Sequence, residues 1–251
     1  MISRYSSTGG RWTSRRFDIA GFFEPQVHEI DVRQFPQCGG DETTIDFEAY
    51  RRKYLKFMPE GEIKYLLIAE SPPNQTREAP WFFYYDEDDA QALGGLFEHT
   101  MRARYEERWR NLRWIGRDAS ASKRALLERF SSEGFYLIDE TDELIAGVSK
   151  VKKRQALQRV IDSKSLARTI ANLANESYLT TATKVAFISC MGYDRLFNHL
   201  STSSVLIDKN EVKLKELLME VRVPMPFGND DNVRQFKMFV GALRTSVERR
   251  G

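Results

Sequence analysis

Lys64-Tyr65-Leu66-Leu67-Ile68-Ala69-Glu70-Ser71-Pro72-Pro73 constrains the fold of this chain more than any other segment. An apolar run of strand length ends abruptly in an acid, a hydroxyl and two prolines. The run suits a strand buried on both faces, and the prolines, which lack an N–H, stop it from continuing. The chain must therefore turn at Glu70, at the carboxyl end of a strand. Open α/β sheets bind their ligands at that edge. Trp81-Phe82-Phe83-Tyr84-Tyr85 follows about a dozen residues later and offers flat surfaces to a planar ligand. A nucleobase held at this edge is the first functional reading.

The rest of the chain repeats the alternation of strand and helix. Cys38-Gly39-Gly40-Asp41 reads as a turn before a helix from Asp46 to Phe57, and the first strand covers 63–69. Asp86-Glu87-Asp88-Asp89 supplies the acidic start of a helix near Ala90. A helix over 120–132 precedes Gly134 and a second strand, Phe135 to Asp139. A helix over about 152–176 leads to a third strand, Lys184 to Cys190. The fourth run, Val221 to Phe227, passes through Gly228-Asn229-Asp230 into a final helix that ends near Val247. Helices between short apolar strands predict a three-layer α/β/α fold around a central, mainly parallel four-stranded sheet. Residues 1–45 are expected to form an N-terminal extension and 46–251 the catalytic domain.

Composition narrows the class. Across 251 residues, 41% are hydrophobic and 29% charged, as in a globular protein. No apolar run approaches the roughly 18 residues of a membrane span. The N-terminus lacks the apolar core of a signal peptide, and Cys38 and Cys190 form no Cys-x-x-Cys spacing. These features predict a cytoplasmic chain without a multi-cysteine metal site. The net charge of +2 says little, but its distribution says more. From Ser149 to Arg168 seven basic residues face one acid, Asp162. Lys150, Lys152, Lys153 and Arg154 lead this segment and are candidates for contacting DNA phosphates.

The order of these motifs resembles the uracil-DNA glycosylase superfamily over roughly residues 60–247. Ala69-Glu70-Ser71-Pro72-Pro73 is similar to the Gly-Glu-Ala-Pro-Gly form of that superfamily's first motif. An aromatic follows about 12 residues on, a second strand ends in a polar residue, and a later strand ends in a proline-containing loop. The resemblance implies a monofunctional DNA glycosylase that flips a base and hydrolyses its N-glycosidic bond with no metal or cofactor. Glu70 takes the place of the family acid that orients water and stabilises the oxocarbenium-like sugar. Phe82 or Phe83 takes the place of the stacking phenylalanine, and Asp139 that of the residue reading the base edge.

Three departures shape the expected substrate. Ser71, a candidate catalytic residue beside Glu70, stands where some members carry Asp or Asn; its hydroxyl can hydrogen-bond a water but is a poor base at neutral pH. Asp139 stands where Asn is usual. A carboxylate only accepts hydrogen bonds, so it repels uracil O4 but accepts from the N4 amine of cytosine. Pro224-Met225-Pro226-Phe227-Gly228-Asn229 lacks the family's His. The three histidines, His28, His99 and His199, read as structural or exposed. Asn229 is a candidate donor to base or phosphate, with helix capping as its other reading. Met225 and Phe227 are candidates to fill the space left by an extruded base. The expected substrate is a modified or damaged base, cytosine-type rather than plain uracil, in DNA repair or in defence against phage DNA. The expected partner is DNA, the expected state a monomer. A catalytically silent DNA-binding module on the same fold is the alternative. A nucleotide enzyme of another kind lacks its Gly-rich fingerprints.

Overall fold

The computed structural model describes residues 46–71, 82–86, 95–112, 119–141, 148–227 and 229–243. All of them belong to one unit, Thr43–Gly251. The expected extension over 1–45, with His28 and Cys38, lies outside the described residues. So do Pro72, Pro73, Trp81, Gly228 and the acidic stretch after Asp86.

Asp46 caps the first helix, α1 (Phe47–Arg52), by accepting from the Ala49 N–H at 3.0 Å. Phe47, Arg51 and Tyr54 recur at four- and three-residue spacing and are all buried. β1 (Tyr65–Ala69) follows, with Leu66 to Ala69 buried. α2 (Gly95–Leu112) and α3 (Ala119–Ser132) lead to β2 (Phe135–Asp139). Gly134 makes the turn between them at φ +87°, and its carbonyl accepts from the N–H groups of Lys64 and Tyr65 at 2.8 and 3.0 Å. A side chain there would run into Lys64, so glycine serves both the conformation and the close approach.

The expected helix over 152–176 is two helices, α4 (Lys150–Ser163) and α5 (Ser165–Asn175). Lys164 sits between them in the left-handed region at φ 55°. β3 (Lys184–Phe187) is shorter than expected because Ser189 leaves the sheet to cap α6 (Cys190–Ser201). The sequence reading did not anticipate the antiparallel hairpin of β4 (Ser204–Ile207) and β5 (Asn210–Lys213), followed by α7 (Leu214–Leu217). α8 (Asp230–Ala242) closes the described chain.

The main sheet has the parallel order β2-β1-β3, with Ala69 beside Asp139 and Ile68 beside both Ile138 and Phe187. Helices flank it. Phe135 packs against Phe130 of α3 and under the Arg104 guanidinium of α2. The side chains of Glu70 and Glu140, on the opposite face by the two-residue alternation, meet α4 and α6. One connection leaves β1 for β2, and the next returns across β1 to β3. That reversal makes the carboxyl ends of β1 and β3 the topological switch point, the kind of place where open α/β sheets bind ligands.

The fourth expected strand does not form among the described residues. A single parallel bridge joins Leu218 to Val185, ahead of the predicted run over 221–227. Pro224 and Pro226 deprive that run of two ladder donors, so it continues as an extended loop.

The aromatic segment is built into the core. Tyr84 Oη accepts from the Leu137 N–H at 2.8 Å and so occupies a backbone donor of edge strand β2. Asp86 anchors the segment by accepting from Lys53 Nζ (2.6 Å), Tyr54 Oη (2.8 Å) and Arg124 Nε (2.9 Å). Burial opposes its charge, but these donors outweigh burial and hold its pKa below the usual carboxylate range. Lys123, wholly buried on α3, donates to the Phe82 carbonyl at 2.9 Å.

Candidate active site

Three strand ends deliver the polar residues. The Glu140 N–H donates to the Ala69 carbonyl at 2.7 Å and the Ile188 N–H to the Ile68 carbonyl at 2.9 Å. These bonds align Glu70 after β1, Asp139 and Glu140 at the end of β2, and Ser189 after β3. Alternation then sends the neighbouring acids Asp139 and Glu140 to opposite faces.

Glu70 Oε1 lies 2.6 Å from Lys153 Nζ, and each side chain keeps about a fifth of its surface exposed (21%). Ser149 positions this lysine. Its hydroxyl accepts from the Lys152 N–H and caps α4, which places Lys153 in the first turn of the helix. Lys153, expected from the sequence to contact DNA phosphate, here pairs with Glu70. Lys150, Lys152 and Arg154 on the same turn are exposed. Ser71 is half-buried beside Glu70 in sequence.

Glu140 is the residue the sequence reading missed. It is 1% exposed, and neither carboxyl oxygen has a hydrogen bond of ordinary geometry. The carboxyl group lies against Gly192 in the first turn of α6, so close that a Cβ at that position would sit 1.6 Å from Oε1. The Ser189 hydroxyl, which accepts from the Gly192 N–H at 3.1 Å, lies beside it and helps its charged form. Burial dominates, and the negative charges of Glu70 and Asp139 add to it, so the Glu140 pKa is pushed well above the ordinary value. The proton is thus retained in the folded protein under conditions that remove it from the unfolded chain. Folding is favoured at low pH and loses this contribution as pH rises through the folded-state pKa. Glu140→Gln should therefore gain stability over the parent by about 1.4 kcal/mol per pH unit, starting near the unfolded-state value. Urea denaturation at several pH values checks this, and a pH-independent difference would refute it.

Asp139 is committed elsewhere. Arg51 from α1 forms a hydrogen-bonded ion pair with its carboxylate, and the two side chains are 6% and 4% exposed. Burial works against the arginine's charge, but Asp139 and then Glu48 (3.2 Å) overcome it and raise the pKa. The expected reader of a base edge is therefore a buried partner of an arginine. Phe82 and Phe83 also depart from expectation. They are 1% and 3% exposed. Phe82 packs on Phe47 at 4.4 Å with the Arg51 guanidinium 5.3 Å from its ring centre, and Phe83 meets Tyr84, Phe97 and Phe130. Neither offers a face to a ligand, because the core already covers them.

The last expected motif divides in the same way. Asn229 caps α8, its side-chain oxygen accepting from the Asn232 N–H at 2.8 Å. Met225 is half-buried, whereas Phe227 keeps 45% of its surface exposed. His99 of α2 meets the Phe227 ring edge-on at 5.6 Å, which brings a histidine to the loop whose own sequence has none. Burial lowers the pKa of that histidine.

Among the described residues, no group of three or more His, Cys, Asp or Glu side chains is arranged to hold a metal ion. No described helix is long and apolar enough to cross a membrane. Compared with protein-family models, curated proteins and solved structures, the chain matches none. The site defines a mixed α/β protein with an acidic cluster at the carboxyl edge of a parallel sheet.

Proposed function

We propose that this chain is a DNA glycosylase of the uracil-DNA glycosylase type, with Glu70 as the carboxylate that orients water at the sugar. The observation that carries the reading is the placement of Glu70. It follows the central strand at its carboxyl end, stays partly accessible, and is held at 2.6 Å by Lys153. A carboxylate so held is suited to stabilising positive charge that develops on a sugar. Buried Glu140, whose pKa is pushed up first by burial and then by the charge of Glu70, holds its proton more strongly than a free acid does.

The substrate is a modified or damaged base in DNA. Asp139, buried against Arg51, does not reach a base edge to select a cytosine-type base. The burial of Phe82 and Phe83 favours the second reading, a silent DNA-binding module on the same fold.

Mass spectrometry of free bases released from DNAs carrying uracil, damaged bases or modified cytosines separates the two. The parent should release one class of base, and Glu70→Gln should slow release by about 10²–10³-fold. No release from any of these DNAs would leave the binding module as the reading.

A further inference from the structure

Arg154, Gln158 and Ile161 recur at four- and three-residue spacing along α4, so they form one stripe. Asp194 and Arg195 of α6, with Arg222 from the loop that follows Leu218, complete the lining of an open groove of about 660 Å3. Three guanidinium groups from three separate elements thus converge on one concavity. The single acid, Asp194, is paired with Arg222. Arg154 is exposed and Arg195 half-buried, and neither has an ion-pair partner among the described residues. Like charges gathered on a concave surface repel one another and focus a positive field outward, an arrangement that favours an anionic ligand. The planar fork of arginine matches phosphate oxygens in geometry.

The groove residues also neighbour the acidic cluster along the chain. Arg154 follows Lys153, which holds Glu70, and Cys190 in the groove wall follows Ser189, which lies beside Glu140. We propose that this groove binds the phosphodiester backbone of a nucleic-acid strand, an inference that rests on the glycosylase reading for the strand being DNA. A strand that brought one nucleotide to Glu70 would lay its neighbouring phosphates along Arg154, Arg195 and Arg222.

The test is fluorescence anisotropy with an unmodified 15-nucleotide single-stranded DNA across a salt series. The proteins are the parent and the combined Arg154→Ser/Arg195→Ser/Arg222→Ser variant, each checked for fold by circular dichroism. The combined variant should bind more weakly, with the log–log salt slope reduced by about two. Iodoacetamide labelling of Cys190 in the parent, followed by mass spectrometry, should slow when the DNA is bound.

Unchanged affinity and slope in the combined variant, or unchanged Cys190 labelling, overturns the groove and leaves the glycosylase reading to the base-release assay. Displacement of the DNA by equimolar inorganic pyrophosphate overturns it in favour of a small-phosphate site. Groove-dependent DNA binding without release of any base supports the groove and overturns only the glycosylase reading.

Discussion

Arg51→Met destabilises the protein by about 3–5 kcal/mol, because it takes the guanidinium partner away from a buried Asp139 carboxylate. The methionine fills a volume close to that of the arginine stem, so packing against Phe82 is largely kept and the loss is electrostatic. The double variant Arg51→Met/Asp139→Leu separates the pair's net worth from the cost of breaking it. Replacing both members of a buried pair by apolar residues is often neutral, so the double variant should recover most of the stability. Urea denaturation of the parent, both single variants and the double variant completes the cycle. A loss below about 1 kcal/mol for Arg51→Met would show that water reaches Asp139 and screens the pair, as at exposed sites.

The second large effect belongs to Lys123. Burial pushes its ammonium group down to about 7, with Asp86 partly opposing the shift. The unfolded chain holds this proton to about pH 10.5. Between these values the unfolded state binds a proton that the folded state does not, so the contribution of Lys123 to stability rises with pH. Glu140 acts in the opposite direction, costing stability as pH rises above the ordinary carboxylate range. Above about pH 10 the buried hydroxyls of Tyr54, Tyr84, Tyr105 and Tyr136, all raised first by burial, also pull stability down. Differences between variant and parent remove these shared contributions.

Lys123→Met should be most favourable relative to the parent near or below pH 7. It should lose about 3 kcal/mol of that relative advantage by pH 9.5. It also leaves the Phe82 carbonyl without its 2.9 Å donor, a pH-independent cost of about 1–3 kcal/mol. Parallel pH profiles for variant and parent would mean that Lys123 keeps its proton throughout.

The two clearest strands were legible because their chemistry is local. Leu66 to Ala69 is apolar and stopped by prolines, and Phe135 to Asp139 is bounded by Gly134 and an acid. The hairpin escaped notice for a converse reason. Its turn, Asp208-Lys209, adopts positive φ at both residues (50° and 66°) without the Asn or Gly that normally announces such a turn. The fourth strand was overread, because the apolar character of Val221 to Phe227 outweighed the two prolines inside it.

At the site, Glu70 could be named from its strand end, but its partner Lys153 could not, since that contact joins residues far apart in sequence. Arg51 did leave a signal. It occupies the position between Phe47 and Tyr54 on a buried helical stripe, where a charge demands a buried partner. Glu140 left one too, since an acid after Asp139 must point to the other face. The burial of Phe82 and Phe83 left none, because an aromatic run looks the same whether a ligand or the core will cover it.

Glu140 joins its backbone to β1 and its side chain to α6, and that double attachment fixes when the site comes into being. During synthesis, β1 leaves the ribosome as a lone apolar strand, gains its first neighbour only with Phe135, and gains its second only with Lys184. Until Gly192 follows, the carboxyl group of Glu140 has no wall to lie against and stays in water as an ordinary acid. The burial of Glu140 is thus a product of late assembly, and a nascent chain halted before α6 carries every residue of β1 and β2 but not the wall that raises the Glu140 pKa.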